Sequence, residues 1–192
     1  MAHEQTQTDE QKPTNVRRLN WGCGEWAEAG WINSDVKEDE GIDIVADIRD
    51  GLPLDSDSID YAVSIHALPE VPFTELVPVL TELRRVLKPG GVLRLALPDL
   101  DKGIDAYHRK DSKYFKVPDQ DAKSVSAKFV TQMVWYGYSR SLFTHEFIAE
   151  QLERAGFAKV AHCAFQQTAS RYPDIVKLDN REQESLFVEA VK

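Results

Sequence analysis

Five short apolar runs, separated by turn residues, constrain the fold of this chain more than any other feature. They are rich in Val, Ile and Leu and occupy residues 16–21, 31–36, 42–46, 61–65 and 92–97. Strands that are apolar almost throughout are typical of a parallel sheet that is covered on both faces. The pattern therefore predicts an α/β protein with a doubly wound, mostly parallel sheet.

A helix is predicted between the fourth and fifth runs. Leucines recur at helical spacing within residues 74–87, and Pro89, Gly90 and Gly91 follow as the expected helix stop. The leucines are Leu76, Leu80, Leu83 and Leu87. Pro78 marks either the first turn of this helix or a break between two short helices. The result is a predicted strand, helix, strand unit.

The second half of the chain is predicted to add two helices and two strands. Residues 124–138 and 144–155 have helical spacing. The later helix has Thr144 as its expected N-cap and Gly156 as its C-terminal stop. The strands are predicted at residues 159–165 and 185–191, where they would complete the sheet.

One domain is predicted, over residues 16–192, because single domains typically run ~100–200 residues. The preceding segment, residues 1–15, is polar and is predicted to be a disordered tail. It lacks the apolar centre of a secretory signal, and no run in the chain approaches the ~18 apolar residues of a membrane span. A cytoplasmic protein that does not act at a membrane is therefore expected.

Charge and cysteine content narrow the range of partners. The 192 residues carry 23 Lys and Arg against 32 Asp and Glu, a net charge of −9, and no basic stripe offsets it. A phosphate backbone would be repelled, so nucleic acid is not a predicted partner. Cys23 and Cys163 have no metal-ligand spacing, and no metal is predicted. Cys23 is expected to be a small packing residue.

A glycine turn follows the first apolar run, at Gly22, Cys23 and Gly24. Such a turn lets the backbone approach a ligand without an intervening Cβ, although a tight turn without a ligand is the alternative. Asp35 ends the second run and Asp47 the third, where parallel strands deliver their last residues to one crevice. A carboxylate at that position suits a ribose diol, and a second one suits an exocyclic amine.

Four motifs in order resemble those of the class I S-adenosylmethionine-dependent methyltransferases. They read LNWGCG, GWINSD, IVADIRDGLPLDSDSIDYAVSIHALPEV and ELRRVLKPGGVLRLALPDL, and the C-terminal LDNREQESLFVEAVK also resembles this group. The resemblance implies a Rossmann-like, seven-stranded sheet with an antiparallel last strand, and S-adenosyl-L-methionine as the cofactor. It places Asp35 at the ribose and Asp47 with Ile48 at the adenine. The implied cofactor-binding residues are Asn20, Trp21, Gly22, Cys23, Gly24, Asp35, Val36, Asp47, Ile48, His66 and Ala67.

The chain departs from this family where covering helices are expected. Trp26 stands where most members have a third glycine, and only eleven positions separate Gly24 from Asp35. The gap from Asp35 to Ile42 is shorter still, so this connection is expected to run extended. Helical cover near the first three strands is therefore predicted to be reduced. We expect residues 124–140, or a second copy of the chain in a homodimer, to cover the exposed apolar surface.

Methyl transfer needs an acceptor held in line with the methyl group and, for a hydroxyl, a general base. Residues 99–145 are predicted to form a variable segment on the acceptor side. The candidate catalytic residues are His66, Asp99, His108, Tyr138 and Arg140.

These candidates have structural alternatives. Residues 64–70 read SIHALPE and lack the second histidine of the group's pattern, which favours His66 as a wall of the cofactor site over a base. Asp99 would serve equally as a helix cap. Tyr107 and His108, with the aromatic residues of 135–138, are candidates for an acceptor pocket, whereas Phe129 and Met133 are expected in the core.

The sequence therefore predicts a methyltransferase that acts on a small-molecule polar acceptor, such as a sugar or another hydroxyl compound. The alternative is a protein that binds S-adenosylmethionine or S-adenosylhomocysteine without catalysis, as a regulator. A Rossmann-type oxidoreductase is less favoured, because no G-x-G-x-x-G with a correctly spaced acidic residue occurs.

Overall fold

A seven-stranded sheet organises the computed structural model, which describes residues 16–192. The predicted tail, residues 1–15, lies outside the described residues. The strands are β1 (Arg18–Trp21), β2 (Ile32–Asp35), β3 (Ile44–Val45), β4 (Ile59–Ile65), β5 (Leu87–Pro98), β6 (Ala158–Cys163) and β7 (Ser185–Val191). Their order is β3-β2-β1-β4-β5-β7-β6, and β7 runs antiparallel to both of its neighbours. The predicted α/β, mostly parallel sheet with an antiparallel last strand is confirmed.

Four α-helices accompany the sheet: α1 (Leu76–Val86), α2 (Leu100–His108), α3 (Val125–Val134) and α4 (His145–Arg154). Thr144 caps α4 as predicted, since its Oγ1 accepts a hydrogen bond from the backbone N–H of Phe147 at 3.2 Å. Pro78 lies in the first turn of α1, where a missing N–H costs nothing. None of the helices within residues 16–192 is long and apolar enough to span a bilayer.

Two predicted boundaries are wrong. Helix α1 ends at Val86, and the Pro89-Gly90-Gly91 triplet lies inside β5, beside a register shift between Ile59 and Tyr61. Helix α3 ends at Val134, four residues before the predicted end, because Trp135 and Tyr136 adopt left-handed φ angles of 40° and 55°. A helix cannot continue through that geometry.

The first face of the sheet carries the main apolar core. Helix α1 and helix α4 lie on this face, and their apolar stripes pack on the leucines of β5. Fully buried members of this core include Leu80, Leu83, Leu93, Leu95, Ile148 and Leu152.

The second face is covered by the connection between β6 and β7. Tyr172 and Ile175, from this connection, pack on Trp31 of the β1–β2 connection and on Tyr61 of β4. The Tyr61 ring lies 5.3 Å from Trp31 and 5.1 Å from Tyr172, measured between centroids. The expectation that residues 124–140 would supply this cover is wrong, and a second copy of the chain is not needed to bury this face.

Residues 124–140 pack on α2 instead. The Phe129 ring stacks on Tyr107 with 5.2 Å between centroids. Gly103 leaves room for Met133, whose Cε would lie 3.0 Å from a Cβ at that glycine. The segment therefore borders the carboxyl end of the sheet, where β5 delivers Asp99.

Buried amides replace a helix between β1 and β2. Asn20 donates to Asn33 Oδ1 at 3.1 Å and to the carbonyl of Trp26 at 3.0 Å. Asn33 Oδ1 also accepts from the N–H of Glu28 at 2.9 Å. The next connection, residues 36–43, contains a turn in which Ile42 N–H bonds to Asp39, so it is not extended throughout as expected. The predicted reduction in helical cover near the first three strands is confirmed.

A buried ion network anchors the connection that covers the second face. Arg94 of β5 is 0% exposed. Its guanidinium donates to Asp179 at 2.7 and 2.6 Å and to Glu189 of β7 at 2.7 Å, and also reaches the carbonyls of Ala164 and Gln167. All five N–H donors of a guanidinium can be satisfied in such a setting, which is the condition for burying its charge.

Replacing Arg94 by methionine should destabilise the protein by about 3–5 kcal/mol, because two carboxylates would be left buried without a counter-charge. Urea unfolding would measure the loss. The matched control is Arg109→Ala, which removes an exposed ion pair with Asp105 and should cost no more than about 1 kcal/mol. An Arg94→Met protein as stable as this control would contradict the structural role of the network.

Candidate active site

The glycine turn after β1 is held in close contact with the turn after β4. Gly22 has a φ of 65°, and a Cβ at this position would lie only 2.2 Å from the Cβ of Ala67. The N–H groups of Gly22 and Cys23 both donate to the carbonyl of Ser34. The turn is thereby fixed against both neighbours of β1, with its backbone exposed to the space beyond the strand ends.

Asp35, at the end of β2, orients this turn. One of its carboxylate oxygens accepts from the N–H of Gly24 at 2.8 Å, and the other accepts from the N–H of Lys37 at 3.1 Å. A carboxylate has about four acceptor positions. Two therefore remain for hydroxyl groups of a ligand, and the side chain is already held in place.

Asp47, after β3, is paired with a residue that the sequence analysis missed. Arg49 donates through Nε to both carboxylate oxygens, at 2.8 and 2.9 Å, and its backbone N–H adds a third bond at 3.0 Å. These bonds hold the pKa of Asp47 below its ordinary value. Ile48 follows and is 4% exposed, so it offers a buried apolar surface next to the ion pair.

His66, directly after β4, uses both ring nitrogens within the protein. Arg181 donates to Nδ1 at 3.2 Å, and because a guanidinium can only donate, Nδ1 must be the unprotonated nitrogen. Nε2 then carries the hydrogen and donates to Ser185 Oγ at 2.8 Å. Burial and the charge of Arg181 lower the pKa of His66 to about 3. A neutral imidazole without a free lone pair serves as a wall and not as a base.

A cleft of about 640 Å³ joins these residues at the carboxyl ends of the strands. Nearly all of the predicted cofactor-binding residues line it: Trp21, Gly22, Cys23, Gly24, Asp35, Val36, Asp47, Ile48, His66 and Ala67. Asn20 lies outside the large cleft and supports the glycine turn from beneath. Cys23 is 6% exposed, and burial raises the pKa of its thiol to about 11, in keeping with a packing residue.

The opposite end of the cleft is acidic and contains a free hydroxyl. Asp99 is 7% exposed and caps α2 through Oδ1, which accepts from the N–H groups of Asp101 and Lys102. The cap alternative is thus correct, and Asp99 also lines the cleft. Tyr114 and Glu184 lie beside Asp99. Burial, together with the charges of Asp99 and Glu184, raises the pKa of Tyr114. Among residues 16–192, the buried Tyr114 hydroxyl has no hydrogen-bond partner.

Tyr138 and Arg140 reach the cleft through the left-handed turn after α3. The N–H of Arg140 donates to the carbonyl of Pro69 at 2.7 Å, which ties this segment to the turn after β4. Both residues line the cleft, as does Met133, which was expected only in the core. His108 does not line it; this residue is exposed at the end of α2 and is not part of the site.

Comparison with known proteins agrees with this geometry. Residues 20–95 match the profile of a family described as a methyltransferase domain. This part of the chain, from β1 into β5, is thus similar to a methyltransferase domain. A methyltransferase of Thermotoga maritima that depends on S-adenosylmethionine shares the fold with a TM-score of 0.55 at 20% identity, over 92% of this chain and 82% of that one.

Two further solved structures share the fold of the chain. One, from Archaeoglobus fulgidus, has a TM-score of 0.59 at 16% identity and covers 92% of this chain and 86% of that one. The other, from Mesorhizobium loti, has a TM-score of 0.53 at 19% identity, over 93% and 91% of the two chains. Both are S-adenosylmethionine-dependent methyltransferases. No curated protein sequence matches the chain.

The residues of the larger cleft fit S-adenosylmethionine. The approach of Gly22 to Ala67 leaves no room for a Cβ, and Asp35 keeps two acceptor positions for a ribose. Sequence reasoning missed Arg49, Tyr114, Arg181 and Glu184. Only Arg181 and Glu184 carried a signal, since both belong to the C-terminal motif; Tyr114 lies in a segment without periodic pattern.

Replacing Gly22 by alanine should destabilise the protein more than replacing Gly30 by alanine. Both glycines have positive φ, so each substitution carries a left-handed penalty of about 1–2 kcal/mol. Only the Gly22 substitution adds a clash, since nothing lies within 4 Å of a Cβ at Gly30. Thermal unfolding of both variants measures the difference. The double change Gly22→Ala with Ala67→Gly should recover part of it, and equal losses in the two single variants would refute the close contact.

His66 should remain neutral between pH 5 and 8. Its folded-state pKa of about 3 lies below the ordinary value of 6.5, so the unfolded chain takes up a proton first as the pH falls. The contribution of His66 to stability is therefore complete above pH 6.5 and decreases as the pH falls toward 3. An NMR titration of the ring resonances checks the pKa. A midpoint above pH 5 would be inconsistent with the doubly bonded ring.

Proposed function

We propose that this protein is a methyltransferase, which transfers the methyl group of S-adenosylmethionine to a small polar acceptor, a sugar or another hydroxyl compound. The observation that carries the proposal is the continuity of one cleft from Asp35 and the glycine turn to Asp99, Tyr114 and Glu184. When bound, the cofactor supplies an electrophilic methyl group on a sulfonium. The residues of the chain then have to hold the acceptor in line and receive its proton.

The acceptor end of the cleft suits hydroxyl groups. Tyr114 offers a hydroxyl that is free to donate or accept, and Asp99 and Glu184 offer carboxylate oxygens that accept from hydroxyls. The rings of Trp135 and Tyr138 are 41% and 64% exposed at this cleft and provide surfaces on which a sugar ring can stack. Polar groups beside exposed aromatic rings favour a polar ring compound over an apolar one.

Asp99 is the residue best placed to receive the proton. His66 has no free nitrogen, whereas Asp99 uses Oδ1 for the helix cap and makes no hydrogen bond through Oδ2 to any of residues 16–192. The nearest cation to Oδ2 is Lys102 Nζ, at 3.9 Å. The cap holds the Asp99 carboxylate in one orientation, so Oδ2 is already positioned before an acceptor binds.

Asp35 is proposed to bind the ribose, and its removal tests the cofactor assignment. Asp35→Ala should weaken S-adenosylhomocysteine binding by about 10- to 100-fold, the loss of hydrogen bonds to a charged group. Calorimetric titration measures the affinity. Asp105→Ala, at an exposed position outside the cleft, is the matched control and should bind as the unmodified protein does. Unchanged affinity in Asp35→Ala would refute the ribose role.

Transfer of a labelled methyl group to a panel of sugars, small phenols and amines identifies the acceptor class. Methylation of hydroxyl compounds alone, reduced by Asp99→Asn without a change in cofactor affinity, is the expected result. Methylation of amines alone would refute the hydroxyl assignment. Binding of the cofactor with no turnover of any acceptor would support the alternative, a non-catalytic S-adenosylmethionine-binding protein.

A further inference from the structure

The C-terminal motif begins with Leu178, and the proposed function assigns a role to Glu184 but to none of the residues before it. Residues 178–184 connect β6 to β7 and pass close to the glycine turn. A second, smaller cleft of about 350 Å³ lies between this segment and the turn. The residues that line both clefts are Gly22, Cys23, Glu25, Trp26, Ile65 and Arg181. The smaller cleft is therefore an extension of the larger one, around the side of the glycine turn.

Arg181 is available to bind an anion at this junction. Within the part of the chain that the structure describes, its side chain bonds only to the ring of His66 and forms no ion pair. The guanidinium therefore keeps donors for a ligand at the junction of the two clefts. A guanidinium binds a carboxylate through two parallel hydrogen bonds, which makes a carboxylate its best-fitting ligand.

Asn180 supplies the complementary group. Its side-chain oxygen, Oδ1, is buried and has no partner among residues 16–192, while Nδ2 lies 3.4 Å from the carbonyl of Leu178. A buried acceptor without a partner destabilises the protein unless a ligand satisfies it. Asn180 lines the smaller cleft, next to Arg181. Two adjacent residues thus offer a donor pair for a carboxylate and an acceptor for an ammonium group, the two charged ends of an α-amino acid.

The fold holds these residues in position. Asp179 is buried against Arg94, which fixes the backbone directly before them. Arg181 and His66 both have left-handed φ angles, 55° and 58°. Non-glycine residues in this conformation carry strain, and such strain is concentrated at binding sites. The Arg181 side chain is thus presented to the cleft by rigid neighbours.

We infer that Asn180 and Arg181 bind the amino-acid end of S-adenosylmethionine, Arg181 its α-carboxylate and Asn180 its α-ammonium group. The inference rests on the proposed function, because Asp35 at the ribose directs the other end of the cofactor across the glycine turn. Asp35 lines only the larger cleft, whereas Arg181 lines both. The connection between β6 and β7 therefore covers the second face of the sheet and also completes the cofactor site.

Comparing the binding of two ligands distinguishes contacts to the amino-acid end from contacts to the rest of the cofactor. S-adenosylhomocysteine carries the amino-acid end, and 5′-methylthioadenosine has the same adenosine and thioether without it. In calorimetric titrations, Arg181→Gln should weaken binding of S-adenosylhomocysteine about 10- to 100-fold and leave the affinity for 5′-methylthioadenosine unchanged. Asn180→Ala should weaken S-adenosylhomocysteine about 3- to 10-fold with the same selectivity. The control is Arg109→Gln. Arg109 is exposed and lines neither cleft, so this substitution should change neither affinity.

Several outcomes would overturn the inference. One is an unchanged affinity of Arg181→Gln for S-adenosylhomocysteine, and another is an equal loss for both ligands, which indicates a structural role. If Arg181→Gln does not fold, Arg181→Lys keeps the charge without the planar fork and should show a smaller loss that is still confined to S-adenosylhomocysteine. A protein with the unmodified sequence that binds neither ligand would overturn the proposed function itself, and the inference with it.

Discussion

The buried guanidinium of Arg94 is the interaction on which the rest of this structure depends. It joins a central strand, the antiparallel strand β7 and the irregular connection between β6 and β7, through Asp179, Glu189 and two backbone carbonyls. The connections between the first three strands are too short to contain covering helices. The β6–β7 connection covers the second face in their place, and the ion network holds it there. The same network fixes the backbone before Asn180 and Arg181, so the stability of the fold and the ligand binding proposed for these residues depend on one interaction.

Polar side chains also replace helices at the other edge of the sheet. The amides of Asn20 and Asn33 bond to each other and to the backbone of the β1–β2 connection. Buried amides of this kind are stable only when their hydrogen bonds are satisfied, which gives the connection one conformation. Gly22 can then lie against Ala67 without a Cβ, and Asp35 can receive the N–H of Gly24. The glycine turn is thus held rigidly although the neighbouring connections contain no covering helix.

The strands, the first helix after β4 and the capped helix α4 were predictable, because apolar spacing and caps are local features. That the glycine turn, Asp35 and Asp47 would meet at one crevice was also predictable, since the carboxyl ends of parallel strands lie at one edge of a sheet. The other end of the cleft was predictable only in part: Asp99, Tyr138 and Arg140 line it, but Tyr114 lies in a segment without a periodic pattern and reaches the cleft through packing. The cover by Tyr172 and Ile175 was missed for a similar reason: a short 3-10 turn has no recognisable period.

The sequence by itself determined the succession of strands along the chain, the position of the glycine turn and the resemblance to a methyltransferase domain. These features depend on the spacing of apolar residues, glycines and aspartates along the chain, which can be read without knowing the tertiary structure. Only the tertiary structure decided what His66 and Arg94 do, because their partners lie far away in sequence. Ser185 and Arg181 occupy both nitrogens of His66, and Asp179 and Glu189 neutralise Arg94. A side chain's chemistry depends on which charges and hydrogen-bond partners surround it, and the fold brings those together.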